Sequence, residues 1–343
     1  MRPALKVGLT PLWRDPDTLQ IGIDPRRARA LTRLGQAAAV VSLLDGSRDT
    51  EQVMRSAEIH GVSRRDAERV IGLLAGAGLL DDFPADLRAA LPDFLRARIG
   101  PELACAALAY GHGDGGATVL ARRRAAFVRI HGAGRVGAGI ATFLAASGVG
   151  WVGCQDAGLA EAADVTPAGL GADDVGTGRA VGVARAVRRV APEVRTADDA
   201  RRVPDLAVIT GRPDPLLLAA LIRDRVPHLL VRADEAIGVV GPLVIPGRSA
   251  CQRCIDLSKA ARDPAWPVIL AQAGTAGGPA AIRACDTVLA ATTASLAAAQ
   301  ALAHVDRAGP PATVNGVLEL VLPEWQWRRR GWPANPACTC GAA

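Results

Sequence analysis

The 343-residue sequence lacks any uninterrupted apolar run of about 20 residues, which is the length that a membrane-spanning helix requires. Residues 1–15 also lack the long apolar core of a secretory signal peptide. Aromatic residues make up only 3% of the chain, with Tyr110 as the single tyrosine. We therefore expect a soluble protein in the cytoplasm, without a membrane partner.

Lysine is almost absent, since only Lys6 and Lys259 among the 40 basic residues are not arginine. The formal net charge of +6 is spread along the chain, and few aromatic side chains are available to stack on bases. These features argue against a nucleic-acid partner. Half of the residues are apolar, which is enough for real hydrophobic cores, and the length favours two domains.

The first 82 residues combine a hairpin with three helices. An alternating polar and apolar stretch around Pro16 is typical of two strands joined by a proline turn. Three helical stretches follow; the second can begin at Asp49 or Thr50 and end at Gly61, and Ser63 can cap the third. The sequence GLLDD then predicts a short strand. This order of elements is a winged-helix pattern.

The same order resembles the PqqD-type domain, also called the RiPP recognition element, over residues 5–82. In that family the leader of a ribosomally made precursor peptide adds as an extra strand to the exposed edge of the sheet. The resemblance implies a leader-peptide partner, and a purely structural or DNA-binding winged helix is the alternative. In either case we expect the core to contain Leu43, Leu44, Val70, Leu73, Leu74 and Ala77.

A glycine-rich segment follows an apolar strand near the middle of the chain. Gly132, Gly134 and Gly137 form G-x-G-x-x-G, with Arg135 inside the loop and an apolar helix after it. Such glycines let phosphate approach backbone N–H groups, and the helix N-terminus adds positive potential. The next strand ends at Asp156, where a carboxylate can bind a ribose hydroxyl. The pattern predicts a nucleotide site, unless the glycines serve only close packing of helix and strand.

Two cysteine pairs lie far apart in the sequence. Cys251 and Cys254 form C-x-x-C, and Cys338 and Cys340 lie close to the C-terminus. In a cytoplasmic protein such pairs more often hold Zn²⁺ tetrahedrally than form disulfides. Four cysteine ligands leave no position for a water molecule, so we expect a structural zinc that pins the tail to the loop after residues 241–250.

The glycine-rich segment and the paired cysteines together resemble the ThiF, MoeB and ubiquitin-activating-enzyme superfamily. Matching motifs follow one another from about Arg124 to the C-terminus, including the helix that begins near Arg179 and the segment that begins at Cys285. The resemblance implies an α/β fold with a Rossmann-like ThiF-type mixed sheet and helices on both faces, preceded by the small winged-helix domain. The predicted segments are a PqqD-like domain at 1–83, a linker and helical lead-in at 84–124, and a ThiF-like domain at 125–343.

Members of this superfamily adenylate a C-terminal carboxylate with MgATP, and the resemblance implies three charged groups around the nucleotide. The chain departs from each of them. No arginine stands in the expected motif after Asp156, although Arg135 or Arg212 could reach; Arg179 replaces the lysine; and Asp214 is displaced from the usual metal-binding position. Losing one preorganised charge typically costs about 10²–10³ in rate, so these departures predict negligible adenylation.

Cys285 is the remaining candidate for covalent chemistry. Arg283 nearby would favour a thiolate, whereas Asp286 would oppose it. The alternative is a buried cysteine at the start of a helix. Cys105 and Cys154 are expected to be small buried apolar residues.

A peptide-recognition domain joined to a degenerate ThiF-like domain resembles the ocin-ThiF-like partners of azoline-forming YcaO cyclodehydratases, which present the precursor peptide and stimulate a separate enzyme. The leading hypothesis is therefore a leader-peptide-binding adaptor. The alternative is an active ATP-dependent adenylyltransferase of a peptide or sulfur-carrier C-terminal carboxylate. Nicotinamide-dependent oxidoreduction is disfavoured by the cysteine-rich tail. The superfamily resemblance also implies a homodimer.

Overall fold

The computed structural model describes residues 1–82, 91–199, 201–275 and 283–342. The chain divides into two compact units, Met1–Ala121 and Arg122–Ala343. Each unit has its own cluster of buried apolar side chains. Two helices lie in the segment expected to be a helical lead-in, at Asp93–Tyr110 and Ala117–Ala125.

Within its described residues, the first unit contains five strands and four α-helices that lie wholly inside it. The three-stranded sheet is antiparallel, in the order β2-β3-β4, and β1 pairs with β5. The strands are β1 (Ala4–Leu5), β2 (Pro11–Asp15), β3 (Thr18–Ile21), β4 (Arg29–Leu31) and β5 (Leu80–Asp81), and the helices are α1 (Ala39–Leu43), α2 (Thr50–Ile59), α3 (Arg64–Gly76) and α4 (Asp93–Tyr110).

Local capping explains where two of these helices begin. The Asp49 carboxylate accepts a hydrogen bond from Gln52 N at 2.8 Å, and the Gln52 side chain accepts one from Asp49 N at 2.9 Å. This reciprocal pair satisfies two backbone donors at the start of α2. The Ser63 hydroxyl accepts from Asp66 N at the start of α3. Gly61, with φ of 78°, follows the end of α2, as the sequence predicted.

The core of the first unit contains Leu43, Leu44, Val70 and Leu74, as predicted. The prediction for Leu73 is wrong, because its side chain is 43% exposed. Val70 and Leu74 are four residues apart and lie on the same line along α3, whereas Leu73 lies at the margin of that apolar stripe. An exposed leucine therefore remains on the side of α3.

The second unit is built on a seven-stranded mixed sheet in the order β12-β11-β10-β9-β8-β6-β7. Strands β6 to β9 are parallel, and β10, β11 and β12 add to them antiparallel. The strands are β6 (Phe127–His131), β7 (Trp151–Gln155), β8 (Leu206–Thr210), β9 (His228–Asp234), β10 (Ile237–Val244), β11 (Gly316–Val321) and β12 (Gln326–Gly331).

Helices cover both faces of this sheet, as predicted for the ThiF-type fold. Alternate residues of β8 show the two faces: Val208 packs in the cluster that includes α6 and α11, and Ile209 packs in the cluster that includes α8. The helices are α5 (Ala117–Ala125), α6 (Arg135–Ala146), α7 (Arg179–Val190), α8 (Pro215–Arg223), α9 (Gln252–Ala260), α10 (Trp266–Thr275) and α11 (Thr287–Val305).

Within the described residues, α11 alone is long and apolar enough to cross a membrane by these two criteria. Ala290, Ala294, Ala297 and Ala301 recur on one face of α11 and are fully or almost fully buried in the core of the second unit. A core helix of a soluble protein meets the same criteria. The helix therefore gives only weak evidence of a membrane span.

Candidate functional site

The glycine loop joins β6 to α6 and packs tightly against the end of β8. Gly132 has a φ of 93°, and a Cβ atom at this position would lie 2.4 Å from Thr210 Oγ1. A Cβ atom at Gly137 would lie 1.9 Å from the carbonyl oxygen of Gly132. Both glycines are therefore required by the fold itself, with or without a nucleotide. Gly134 is different, since it caps α6 and its Cβ would meet only Asp164 Oδ1, at 3.4 Å.

Asp156 lies just beyond β7, close to the glycine loop. Its Oδ2 atom accepts a hydrogen bond from Ala133 N, and its Oδ1 atom accepts one from Gly158 N, each at 2.7 Å. The carboxylate expected to bind a ribose hydroxyl therefore already receives a backbone hydrogen bond at each oxygen. These bonds hold the loop after β6 against the loop after β7.

Arg179, the residue at the lysine position of the superfamily motif, is paired with acidic side chains. Its Nε atom lies 2.7 Å from Asp164 Oδ2, and its Nη2 atom lies 3.8 Å from Glu161 Oε1. The Asp164 side chain is 11% exposed and also accepts a hydrogen bond from Glu161 N. Because Asp164 lies next to Gly134, a carboxylate occupies the region beside the N-terminus of α6.

The sequence analysis did not identify Asp164. The available signal was its position in the segment after Asp156, where the superfamily motif places a polar residue ahead of its arginine. Spacing alone could not reveal the pair, because Asp164 and Arg179 are fifteen residues apart and meet only when the loop folds back.

Two of the other charged candidates, Arg135 and Asp214, also have hydrogen-bond partners. Arg135 donates through Nη1 to the carbonyl oxygen of Ala163 and through Nη2 to Thr287 Oγ1 at 2.8 Å. Asp214 caps α8, where its carboxylate accepts a hydrogen bond from Leu216 N at 2.9 Å. Arg212, just before it, is exposed. Asp214 therefore acts as the N-cap of α8.

Cys285 lies in a half-buried position just before α11. Burial raises the pKa of its thiol; Arg135 acts in the opposite direction, and Asp286 and Asp234 raise the pKa further. Asp286 caps α11 by accepting a hydrogen bond from Leu289 N at 2.7 Å. A raised thiol pKa reduces the thiolate fraction, so these surroundings do not activate Cys285 as a nucleophile.

The four cysteines of the two pairs converge in the second unit. The Sγ atom of Cys251 lies 3.9 Å from that of Cys254 and 3.7 Å from that of Cys338, and Cys254 Sγ lies 3.6 Å from Cys340 Sγ. All four atoms lie within 4.8 Å of one another. Thiolates about 2.3 Å from a tetrahedral zinc ion would be about 3.8 Å apart, so this donor set fits one such ion.

Backbone and side-chain contacts hold the tail at this cluster. Cys251 caps α9, and Cys338 N donates to the carbonyl oxygen of Asn335 at 2.9 Å. Asn335 Nδ2 donates to Ser258 Oγ at 3.2 Å. The tail therefore packs against α9, and a bound ion would reinforce that contact.

The remaining cysteines differ from expectation. Cys105 is exposed, so the prediction of burial is wrong at this position. It lies on α4, which has only a few buried residues, and its side chain is on the uncovered side. Cys154, in β7, is half-buried, and burial raises the pKa of its thiol to about 12.

Comparisons with known proteins agree with this architecture. A family model described as the ThiF family matches residues 113–220. E. coli MccB with AMPCPP and MccA has a TM-score of 0.72 at 16% identity, and the match covers 100% of both chains. The microcin C7 biosynthetic enzyme MccB in complex with N-formylated MccA has a TM-score of 0.70 at 16% identity over 100% of both chains.

PaaA has a TM-score of 0.71 at 15% identity, and the match covers 95% of this chain and 98% of that of PaaA. No curated protein matches the sequence. At these identities the structural likeness establishes the fold alone. Residues 113–220 therefore match the ThiF family model, and the chain shares its fold with MccB and PaaA.

Proposed function

We propose that this protein is a leader-peptide-binding adaptor in the biosynthesis of a ribosomally made peptide. It presents the precursor peptide to a separate modifying enzyme of the YcaO cyclodehydratase type and does not itself activate a carboxylate. The complex of MccB with MccA supports a peptide partner for this chain, which matches MccB over its full length.

The ion pair between Arg179 and Asp164 is the observation that supports the absence of adenylation activity in this proposal. A phosphate that approached the N-terminus of α6 would have to displace Asp164 from Arg179. It would also come close to the negative charges of Asp156 and Glu161. A site that stabilises an adenylation transition state needs positive charge aimed at the phosphates, and here acidic groups neutralise that charge.

The recognition surface in this proposal is α3 together with the outer edge of β4, with which no strand among the described residues pairs. Arg69 of α3 donates to the carbonyl oxygen of Arg33 at 3.4 Å, so α3 lies beside the segment that follows β4. Leu73 is one turn further along α3 and is partly exposed. Because β4 is at one edge of the sheet, an extended leader can add to it through backbone hydrogen bonds. Leu73 then supplies an apolar contact for one leader side chain.

The proposal also includes a structural zinc ion, a cytoplasmic location and an oligomeric state. Cys251, Cys254, Cys338 and Cys340 bind one structural Zn²⁺ that holds the C-terminal tail against α9. The protein acts in the cytoplasm, as a homodimer, and has no nucleic-acid or membrane partner. The ThiF family domain serves as the body on which the modifying enzyme docks.

Two measurements on the full chain test this function. Fluorescence anisotropy with labelled leaders encoded beside the gene should give dissociation constants below about 100 μM. Ala30→Pro, which removes a backbone donor from the outer edge of β4, should weaken binding, whereas Trp13→Pro, which removes one from the outer edge of the opposite strand β2, should not. If no neighbouring leader binds, or if both prolines have the same effect, the proposed recognition surface is wrong.

The second measurement is pyrophosphate–ATP exchange with the bound peptide, for which we expect no signal. A second candidate function, ATP-dependent adenylylation of a peptide or sulfur-carrier C-terminus, is favoured by the retained glycine loop and by the fold match to MccB crystallised with ATP. ATP and Mg²⁺ would then lie near Gly134 and Arg135, with Arg179 and Asp214 reoriented. Robust exchange that disappears in Asp156→Ala or Arg179→Ala would establish this enzyme instead of the adaptor.

A further inference from the structure

Strand β12 (Gln326–Gly331) is one edge of the seven-stranded sheet. It pairs with β11 on one side, and no strand among the described residues pairs with its other side. Five of its six residues are exposed, and Trp327 is half-buried. An edge of this kind presents backbone N–H and C=O groups to a further extended chain.

Three consecutive arginines occupy this edge, and the sheet register separates them. Arg328 is opposite Glu319, and Arg330 is opposite Val317, so both lie on the same face of the sheet. Arg329 lies on the other face and donates to the carbonyl oxygen of Ala312 at 2.8 Å. Two arginines separated by about 7 Å along the strand therefore share one face.

The positive charge continues inward from the edge on this face. Arg232 of β9 is opposite Val239 of β10, which is in turn opposite Glu319 of β11. Arg232, Glu319 and Arg328 therefore belong to one row across the sheet. Arg232 and Arg328 are exposed. The Nη2 atom of Arg330 lies 3.3 Å from Glu319 Oε2, and 57% of the Arg330 side chain is exposed. Of the four side chains Arg232, Glu319, Arg328 and Arg330, three are basic and one is acidic.

A lysine packed against tryptophans lies next to the patch. The Nζ atom of Lys259 is 4.3 Å from the ring centre of Trp266 and 5.9 Å from that of Trp332. Arg262 also lies over Trp332, at 5.5 Å. Burial lowers the pKa of Lys259, and Arg232 and Arg330 lower it further, whereas Asp256 and Glu319 raise it. Lys259 is therefore electrostatically coupled to the arginines of the sheet.

We propose that β12 and this cationic face, defined as Arg232, Lys259, Arg328 and Arg330, bind an acidic extended peptide segment that adds to the sheet as an eighth strand. Alternate acidic residues of that segment lie opposite Arg328 and Arg330, because side chains two apart on a strand share a face. This site is separate from the leader-binding surface on the first unit and does not depend on the proposed adaptor function.

The charge of the edge determines what it accepts. Exposed arginines discourage a neutral or basic strand from pairing there, since such a strand would leave them uncompensated or repelled. An acidic strand instead forms cross-strand charge pairs in addition to backbone hydrogen bonds. Both the repulsion of basic strands and the attraction of acidic ones therefore favour an acidic partner.

Fluorescence anisotropy with the full-length protein tests the site. The probe is a labelled decapeptide of alternating glutamate and threonine, and the comparison peptide alternates glutamate and proline. Both carry the same charge, but the second lacks half of the backbone donors needed for strand pairing. We expect the first peptide to bind and the second to bind at least about tenfold more weakly. Equal binding would show simple charge attraction and would overturn strand addition.

Variants of the protein locate the binding surface. Arg328→Glu/Arg330→Glu should weaken binding of the glutamate–threonine peptide by at least about tenfold, because like charges then face each other. Arg201→Glu/Arg212→Glu makes the same change in charge at exposed positions elsewhere in the second unit and should have little effect. Equal losses in both double variants would overturn the site, and so would tighter binding of an oligouridylate that depends on Arg328 and Arg330.

Discussion

Asp156 Oδ2 accepts a hydrogen bond from the backbone N–H of Ala133 at 2.7 Å, which fastens the acid after β7 to the glycine loop after β6. Its other oxygen accepts from Gly158. A ribose hydroxyl at this position would have to share or displace these bonds. The shape of a nucleotide-binding loop is therefore kept by contacts within the protein.

Replacing Asp164 with asparagine should increase affinity for ATP. Asp164→Asn removes one negative charge beside the N-terminus of α6 and weakens the hold on Arg179, so we expect about tenfold tighter binding, equivalent to about 1.4 kcal/mol. Isothermal titration calorimetry measures the change. Asp173→Asn, at an exposed acid in a neighbouring turn, is the control and should leave ATP affinity unchanged. An unchanged affinity in Asp164→Asn would mean that this carboxylate does not exclude the nucleotide.

Leader binding should depend on an exposed leucine that the sequence assigned to the core. Leu73→Glu places a charge on the proposed leader-binding surface of α3 and should weaken leader binding by about tenfold or more, while the helix stays folded because the site is partly solvated. Ile59→Glu, at an 84% exposed position on α2, is the matched control. Anisotropy measures affinity, and circular dichroism checks the fold. Similar losses in both variants would contradict a contact specific to Leu73.

The cysteine cluster should bind one zinc ion per chain. Elemental analysis of the purified protein should find close to one zinc, and Cys254→Ser should lower this value because it removes one of four ligands. The C-terminal tail that follows β12 should then become more sensitive to proteolysis. Cys105→Ser changes an exposed cysteine outside the cluster and should retain the metal. A metal-free wild-type protein with four freely reactive thiols in this cluster would disprove the site.

A buried ion pair should contribute more to the stability of the second unit than an exposed one. Arg123 forms a bidentate pair with Asp306, with Nη2–Oδ2 at 2.7 Å and Nε–Oδ1 at 2.9 Å, and the Asp306 side chain is fully buried. Asp306→Ala leaves a buried guanidinium without this partner and should lower the free energy of unfolding by about 3–5 kcal/mol. Urea denaturation measures the loss. Asp224→Ala, which breaks the exposed pair with Arg223, should cost less than about 1 kcal/mol.

Local patterns in the sequence were sufficient to predict several elements. The caps at Asp49 and Ser63 act within three residues, so their spacing predicts where α2 and α3 begin. The strand, glycine loop and apolar helix around Gly132 are also local, and the superfamily resemblance then implied the mixed sheet. Cysteine spacing predicted a four-sulfur cluster. In each case neighbours in sequence are neighbours in space, or a motif already encodes the long-range contact.

The tertiary structure decided the features that depend on distant partners. Only folding brings Asp164 to Arg179, and this contact turns an expected phosphate-binding arginine into half of an ion pair. A residue at the margin of a helix's apolar stripe is buried only if another element packs against it. Leu73 has such a marginal position and is exposed. Strand order alone places the arginines of β12 at an edge of the sheet with which no described strand pairs. Residue types and local spacing determine which elements form, whereas burial and charge pairing arise from contacts that no local pattern specifies.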